Sequence, residues 1–330
     1  EFMAGFGQYN TTMGDYQFSI TQPLSPFGLN KKQEAAARAQ LALSGSRQAL
    51  LEHQVTFGIK QAWQNWLAEQ ARLQLYQQQE GVFENLADRA ALQLRAGATD
   101  RLSYTLAQQQ LTQAQSVTRQ ARQQEEQAFR RFQQLAYSPA SVRPEDALDV
   151  LTSGTADTTA ALQAFLRPLE QEMQAAAANA DVEAQRLQPQ LSFGYMQQSI
   201  RPDLPLNAVQ IGLRAPVFQK SQRARIAQAE LEATKAAQQL QGQRQQLEQE
   251  RQMAQVQLQQ LARQLEEQGP ALQEQARQLR QLAQLQLEQG EVNYFQYAQS
   301  LNAALSSELE RINLIARYNQ AVLYLEFLSQ

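Results

Sequence analysis

Apolar residues recur at three- and four-residue spacing through two long segments, 31–137 and 220–328, and that period predicts helix in both. Val55, Ile59, Ala62, Trp63, Trp66 and Leu67 mark the stripe in the first segment; Leu258, Leu261, Leu265, Leu272, Ala276, Leu279 and Leu282 mark it in the second. A helix from residue 31 to Gly97 would run roughly 100 Å at about 1.5 Å per residue. A helix of that length has to bury its stripe against other helices, and the near-heptad spacing predicts antiparallel coiled-coil hairpins. Gly97 and Gly290 supply the turns. Gly269-Pro270 predicts a further interruption, because proline lacks the N–H donor and kinks or restarts a helix; Gly81 is a weaker counterpart in the first half.

Two stretches change the period from three or four to two. In 16–21, Tyr16, Phe18 and Ile20 share one face and Gln17, Ser19 and Thr21 the other; in 209–214, Val209, Ile211 and Leu213 alternate with Gln210, Gly212 and Arg214. Each is preceded by a stretch of similar texture, 3–10 and 191–200, the latter with Leu191, Phe193 and Tyr195 on one face, so each pair predicts a β-hairpin. The second strands end at Pro23 and Pro216, and basic residues then open a helix: Lys31 and Lys32 in one case, Lys220, Arg223 and Arg225 in the other.

The same phrase occurs twice. "LQLRAGATDRLSY" aligns with "LQLEQGEVNYFQY" so that Leu92 maps to Leu285, Gly97 to Gly290 and Tyr104 to Tyr297, the same offset that relates Pro23 to Pro216. An offset this long does not suit a solenoid and does suit a duplicated half-protein. The repeated unit is strand, strand, long helix, glycine turn, returning helix. The division this predicts is a first repeat at 1–137, a Pro-, Ser- and Thr-rich connector at 138–158, and a second repeat at 159–330 that opens with a helix at about 159–187. No comparable helix precedes the first hairpin, and Glu1-Phe2 ahead of Met3 has the look of a cloning scar, so the first repeat is read as truncated at its N-terminus.

Composition narrows the function. The 330 residues have a mean hydropathy of -0.53, and Gln, Ala, Leu, Glu and Arg dominate, the vocabulary of long solvated helices. The formal charge of -3 comes from mixed signs with no basic stripe for phosphate, which argues against nucleic acid. With no Cys there is no disulfide and no thiol chemistry. No apolar run reaches about 18 residues, so a membrane-spanning helix is excluded on length while a spanning β-barrel is not.

Candidate chemistry is sparse. His53 is the only His and is read as a surface or packing residue; Trp63 and Trp66 are read as core anchors. The carboxylate pairs Glu125-Glu126 and Glu266-Glu267 lie among Gln and Arg and are read as solvated faces. No nucleophile constellation or phosphate loop is present, so the chain is not predicted to be an enzyme and no cofactor or metal site is assigned. The half-apolar hairpins admit two readings: a small sheet covered by helix, or hairpins pooled from several chains into one barrel, apolar side to lipid. In the second reading Tyr16, Phe18, Ile20, Phe193, Tyr195, Val209, Ile211 and Leu213 face lipid.

The strand-Pro-basic-helix junctions, the twofold duplication and the Gly phrase followed by apolar and aromatic positions resemble the TolC-type outer-membrane efflux ducts, particularly the heavy-metal cation branch. "FGQYN", "GYMQQS" at 194–199 and "YNQAVLYLEFL" at 318–328 resemble the TolC-like domains that some Bacteroidetes fuse to an inner-membrane pump. The resemblance covers nearly the whole chain and rests on order and duplication. It implies a mainly α fold with a small β part, a homotrimer whose hairpins form one 12-stranded barrel in the outer membrane, and helices forming a periplasmic tunnel.

It further implies that the two Gly phrases are tips that meet a periplasmic adaptor protein, itself joined to an inner-membrane efflux pump. Arg95, Gly97, Ala98 and Thr99 would form the first tip and Gln289, Gly290, Glu291 and Val292 the second. Where the family often has a tunnel-closing carboxylate, six positions after the glycine, this chain has Ser103 and Gln296; closure would then use Tyr104, Tyr297, Asp100 or Arg101. The function implied is a passive conduit for small solutes, metal cations among them. The alternative is a soluble coiled-coil scaffold or periplasmic adaptor that binds partner helices. The exported solute, and any fusion to a pump, are not written in the residues.

Overall fold

The computed structural model describes residues 2–7, 15–24, 28–137, 146–152, 162–201, 204–214 and 219–329. Nine elements follow in order: β1 Phe2–Gly7, β2 Asp15–Leu24, α1 Leu29–Arg95, α2 Arg101–Ala136, α3 Gln163–Gln185, β3 Gln190–Arg201, β4 Leu204–Arg214, α4 Lys220–Gln289 and α5 Tyr294–Ser329. Removing α3 leaves two copies of strand, strand, long helix, shorter helix, as the 193-residue offset between Gly97 and Gly290 predicts.

The chain forms two compact units, and neither is a repeat. One contains residues 1–50 and 164–245, the other 51–163 and 246–330. In the first, the strands form one antiparallel sheet in the order β1-β2-β3-β4, so the two predicted hairpins are also hydrogen-bonded to each other through β2 and β3. The register places Ile20 opposite Tyr195 and Tyr195 opposite Val209, and Phe193 opposite Ile211. A slip of one residue would send each to the other face. Pro216 lies outside the described residues, and β2 runs one residue beyond Pro23.

In the same unit, α3 runs antiparallel to the N-terminal parts of both long helices and is fastened by ion pairs. Asp181 and Glu172 accept from Lys32 and Arg47 of α1, while Glu170 pairs with Arg244 of α4 at 3.3 Å. Gln222 of α4 donates to both the carbonyl and the carboxylate of Glu183 at 3.0 Å. Exposed pairs of this kind are worth about 0–1 kcal/mol each, so they align the helices more than they stabilise them.

The second unit is a helical bundle. Fifteen side chains of α5 are buried against six of α2, which makes α5 its central helix although the two are counterparts in the duplication. Leu314, Tyr318, Ala321 and Val322 pack on Leu258 and Leu261 of α4, while Tyr297, Ala298 and Leu301 pack on Phe83 and Leu86 of α1 and Ala283 of α4. Asn319, fully buried, holds the described part of the connector: its side chain accepts from the Leu151 N–H at 2.9 Å and donates to the Asp149 carbonyl at 2.7 Å and to Gln64 at 2.9 Å.

Three expectations meet a different outcome. Pro270 does not break α4, which runs continuously from Lys220 to Gln289; buried Leu258, Leu261, Ala276 and Ala283 on both sides hold the helix through the missing bond. Along the same helix Leu282 is exposed and Ala283 takes the seam, because a straight helix drifts against a strict seven-residue repeat. Glu125 is not on a solvated face. It is 4% exposed and accepts a 2.8 Å bond from the Trp66 indole N–H, whereas Glu126 stays outside and pairs with Arg130.

Candidate functional site: two helical tips and an open sheet

Each helical hairpin turns on a glycine in the left-handed region, φ 72° at Gly97 and 74° at Gly290. After Gly97 the N–H of Ala98 reaches back to the Gln93 carbonyl at 2.8 Å, and Gly97 itself donates to Leu94 at 3.1 Å. The second tip repeats this bond for bond: Glu291 to Gln286 at 2.9 Å and Gly290 to Leu287 at 3.1 Å. This paired closure satisfies the last carbonyls of the helix and favours a residue without a Cβ at the turn.

The returning helices are capped at equivalent positions by different chemistry. Asp100 accepts from the Ser103 N–H at 2.6 Å; Asn293 accepts from the Gln296 N–H at 2.9 Å while the Gln296 side chain accepts from the Asn293 N–H at 3.0 Å. The second is a reciprocal capping box. The bond from the Ser103 backbone, followed by its hydroxyl, holds the Asp100 carboxyl below its ordinary value. Ser103 and Gln296 therefore have a local task, as the third helical residues of capped starts. Sequence inspection missed these caps, although Asp-x-x-Ser and Asn-x-x-Gln stand directly before the returning stripes.

Tyr104 and Tyr297 sit one residue later and turn inward. Tyr297 is buried in the cluster with Phe83 and Leu86, and burial pushes its phenol up. Tyr104 packs on Ala87, Ala90 and Ala107. The two tips are tied to each other, since the Tyr294 hydroxyl donates to the Gln93 side chain at 2.6 Å. Thr99 and Val292 are half-buried; Arg95, Ala98, Asp100, Arg101, Gln289 and Glu291 are exposed.

On the sheet the predicted apolar face is continuous across three strands and open. Ile20, Phe193, Tyr195, Val209, Ile211 and Leu213 are all exposed, Ile211 at 78%, and Phe18 is half-buried; the Tyr16 side chain lies outside the described residues. The Tyr195 hydroxyl is bonded to Asn207 on the same face at 2.8 Å. The opposite face carries Gln17, Ser19, Thr21, Ser192, Met196 and Gln210, with Gln17 donating to the Met196 sulfur at 3.2 Å.

The remaining candidates belong to packing. His53 donates from Nε2 to the Phe327 carbonyl at 2.8 Å and stacks on that ring at 4.7 Å. Trp63 and Trp66 meet edge to face at 5.4 Å and close on Phe132 and Phe129. A groove of about 450 Å³ is lined by Gln61, Gln257, Gln260, Gln264, Arg317 and Tyr324, with no acid-base pair among them. Among the described residues no helix is long and apolar enough to cross a membrane, and no cluster of three acidic or imidazole side chains is placed to hold a metal ion.

No protein-family model and no curated protein sequence matches the chain. Solved structures do. The CmeC outer membrane channel of Campylobacter jejuni is similar with a TM-score of 0.83 at 11% identity, over 99% of this chain and 76% of that one. The open state of the Neisseria gonorrhoeae MtrE outer membrane channel gives 0.79 at 16% identity, over 99% and 79%. CusC, whose structures concern folding and transmembrane channel formation, gives 0.81 at 17% identity, over 100% and 82%. At these identities the likeness establishes the fold alone, the one shared by these TolC-like outer-membrane channels. It does not single out one branch of them.

Proposed function

We propose that the chain is the outer-membrane component of a tripartite efflux system: a passive duct, working as a trimer, through which solutes move after an inner-membrane pump and a periplasmic adaptor deliver them. The observation that carries this reading is the sheet. Among the described residues it shows lipid-compatible side chains on one face of β2, β3 and β4, and β1 and β4 each have one edge without a strand partner. An open, apolar, two-edged sheet is an aggregation hazard in water and is resolved by closure into a barrel. Three copies pairing β4 of one with β1 of the next would give the 12 strands.

In this reading Tyr16, Phe18, Ile20, Phe193, Tyr195, Val209, Ile211 and Leu213 meet lipid, and the tips around Gly97 and Gly290 meet the adaptor. The capped, tied geometry of the tips supports that role because it presents two rigid ends of the same shape side by side. A metal-cation cargo rests on the sequence resemblance alone.

Light scattering after size exclusion, with and without detergent, tests the proposal. A particle with a protein mass of three 37.2 kDa chains that requires detergent is the expected result. A monodisperse monomer or dimer indifferent to detergent would favour the coiled-coil scaffold instead.

A further inference from the structure

The two tips have the same backbone and opposite charge, and we infer that they fit a helical partner protein presenting an acidic group to the first tip and a basic group to the second. The inference rests on the reading of the tips as docking ends. Position for position, Arg95 of the first tip corresponds to Glu288 of the second, and Ala98 to Glu291. Around Gly97 lie Arg95, Arg101 and the capping Asp100; around Gly290, between Leu285 and Tyr297, lie Glu288 and Glu291 with no cation in that stretch, Arg89 of α1 being the cation that acts with Glu288 on the Tyr297 hydroxyl. All five tip charges are exposed, and among the described residues Arg95, Arg101 and Glu291 form no ion pair.

Local helix stability does not account for this pattern. Arg95 in the last turn of α1 complements the negative end of the helix dipole, but Glu288 occupies the equivalent turn of α4, where an anion is unfavourable. The bond it accepts from Gln284 at 3.0 Å is neutral on the donor side. A charge held at a locally unfavourable place, and of the opposite sign to its counterpart, points to a complement on the partner.

Apolar contact is supplied equally by both tips. Leu92 and Leu102 are 64% and 67% exposed at the first, and their counterparts Leu285 and Phe295 are 49% and 44% exposed at the second. Each tip thus offers an apolar pair on one hairpin beside a charge, the arrangement in which a partner helix gains contact from the apolar pair and discrimination from the charge. A partner with two identical contact sites would meet repulsion at one of them.

The test uses the full chain in detergent and two synthetic helical peptides that share a leucine stripe, one flanked by glutamates and the other by lysines. Because the chain has no Cys, a benzophenone label placed through Ala98→Cys or Gln289→Cys reports each tip separately. The acidic peptide should label Ala98→Cys and the basic peptide Gln289→Cys, each preferred over the other by about tenfold, the preference collapsing at about 1 M salt. The exchange Arg95→Glu with Glu288→Arg should reverse it. Equal labelling of both tips by both peptides would overturn the charge inference and leave the docking reading standing. Labelling of neither tip would remove both. Labelling of a second copy of the chain in place of the peptides would mean that the tips pair with each other and would overturn the partner.

Discussion

At the scale of residues, Glu125 and Asn319 are buried polar groups, and each is held by identifiable partners. Trp66 and Glu125 form the clearest case, an indole N–H against a carboxylate inside the α1–α2 contact. Trp66→Phe should destabilise the protein by about 2–4 kcal/mol, from lost packing volume and a weakened partner for a buried carboxylate. Adding Glu125→Leu to Trp66→Phe should restore part of that loss in denaturant titration; no restoration would mean that packing alone matters. The two caps differ in a way that pH exposes. The Asp100 carboxyl is held below its ordinary 3.8, so its contribution is present above that value and is lost as pH falls through the lower folded value. Asn293 does not titrate. Backbone amide exchange should therefore show Ser103 losing protection in acid while Gln296 keeps it.

Among the elements, helix α4 tests how far burial overrides local preference. Proline in a helix interior costs about 3 kcal/mol relative to alanine, so Pro270→Ala should raise the midpoint of denaturant unfolding by an amount equivalent to about 1–3 kcal/mol. A lower midpoint would mean that the pyrrolidine ring itself contributes packing. The expected break at this proline is where reading the sequence went astray, and the reason is physical: propensity is visible residue by residue, whereas the Leu258, Leu261, Ala276 and Ala283 contacts that outweigh it depend on a partner helix. Strand faces and glycine turns were legible because each is local, a period of two or a single required backbone angle. The caps at Asp100 and Asn293 are equally local, written as Asp-x-x-Ser and Asn-x-x-Gln at the start of each returning helix. Glu125 was not legible, since nothing near it in sequence reveals that Trp66 lies opposite.

For the whole molecule, lipid contact at the open sheet is what separates the proposed duct from a scaffold. Phe18→Lys and Ile211→Lys place charges on the apolar face, and near the midplane of a bilayer each should cost roughly 2–4 kcal/mol. Insertion into lipid vesicles should fail in the double variant, while helix content measured in detergent stays unchanged; insertion at the native level would exclude lipid contact at these positions. The duplication was visible from the chain, but the way its halves share their interiors was not. Strand β2 of one repeat is hydrogen-bonded to β3 of the other, and Phe83 and Leu86 of the first lie in the same cluster as Ala283 and Tyr297 of the second. The compact units, 1–50 with 164–245 and 51–163 with 246–330, cut across the repeats. Repeat and compact unit do not coincide: a chain severed in its connector would yield two fragments that each hold part of both units.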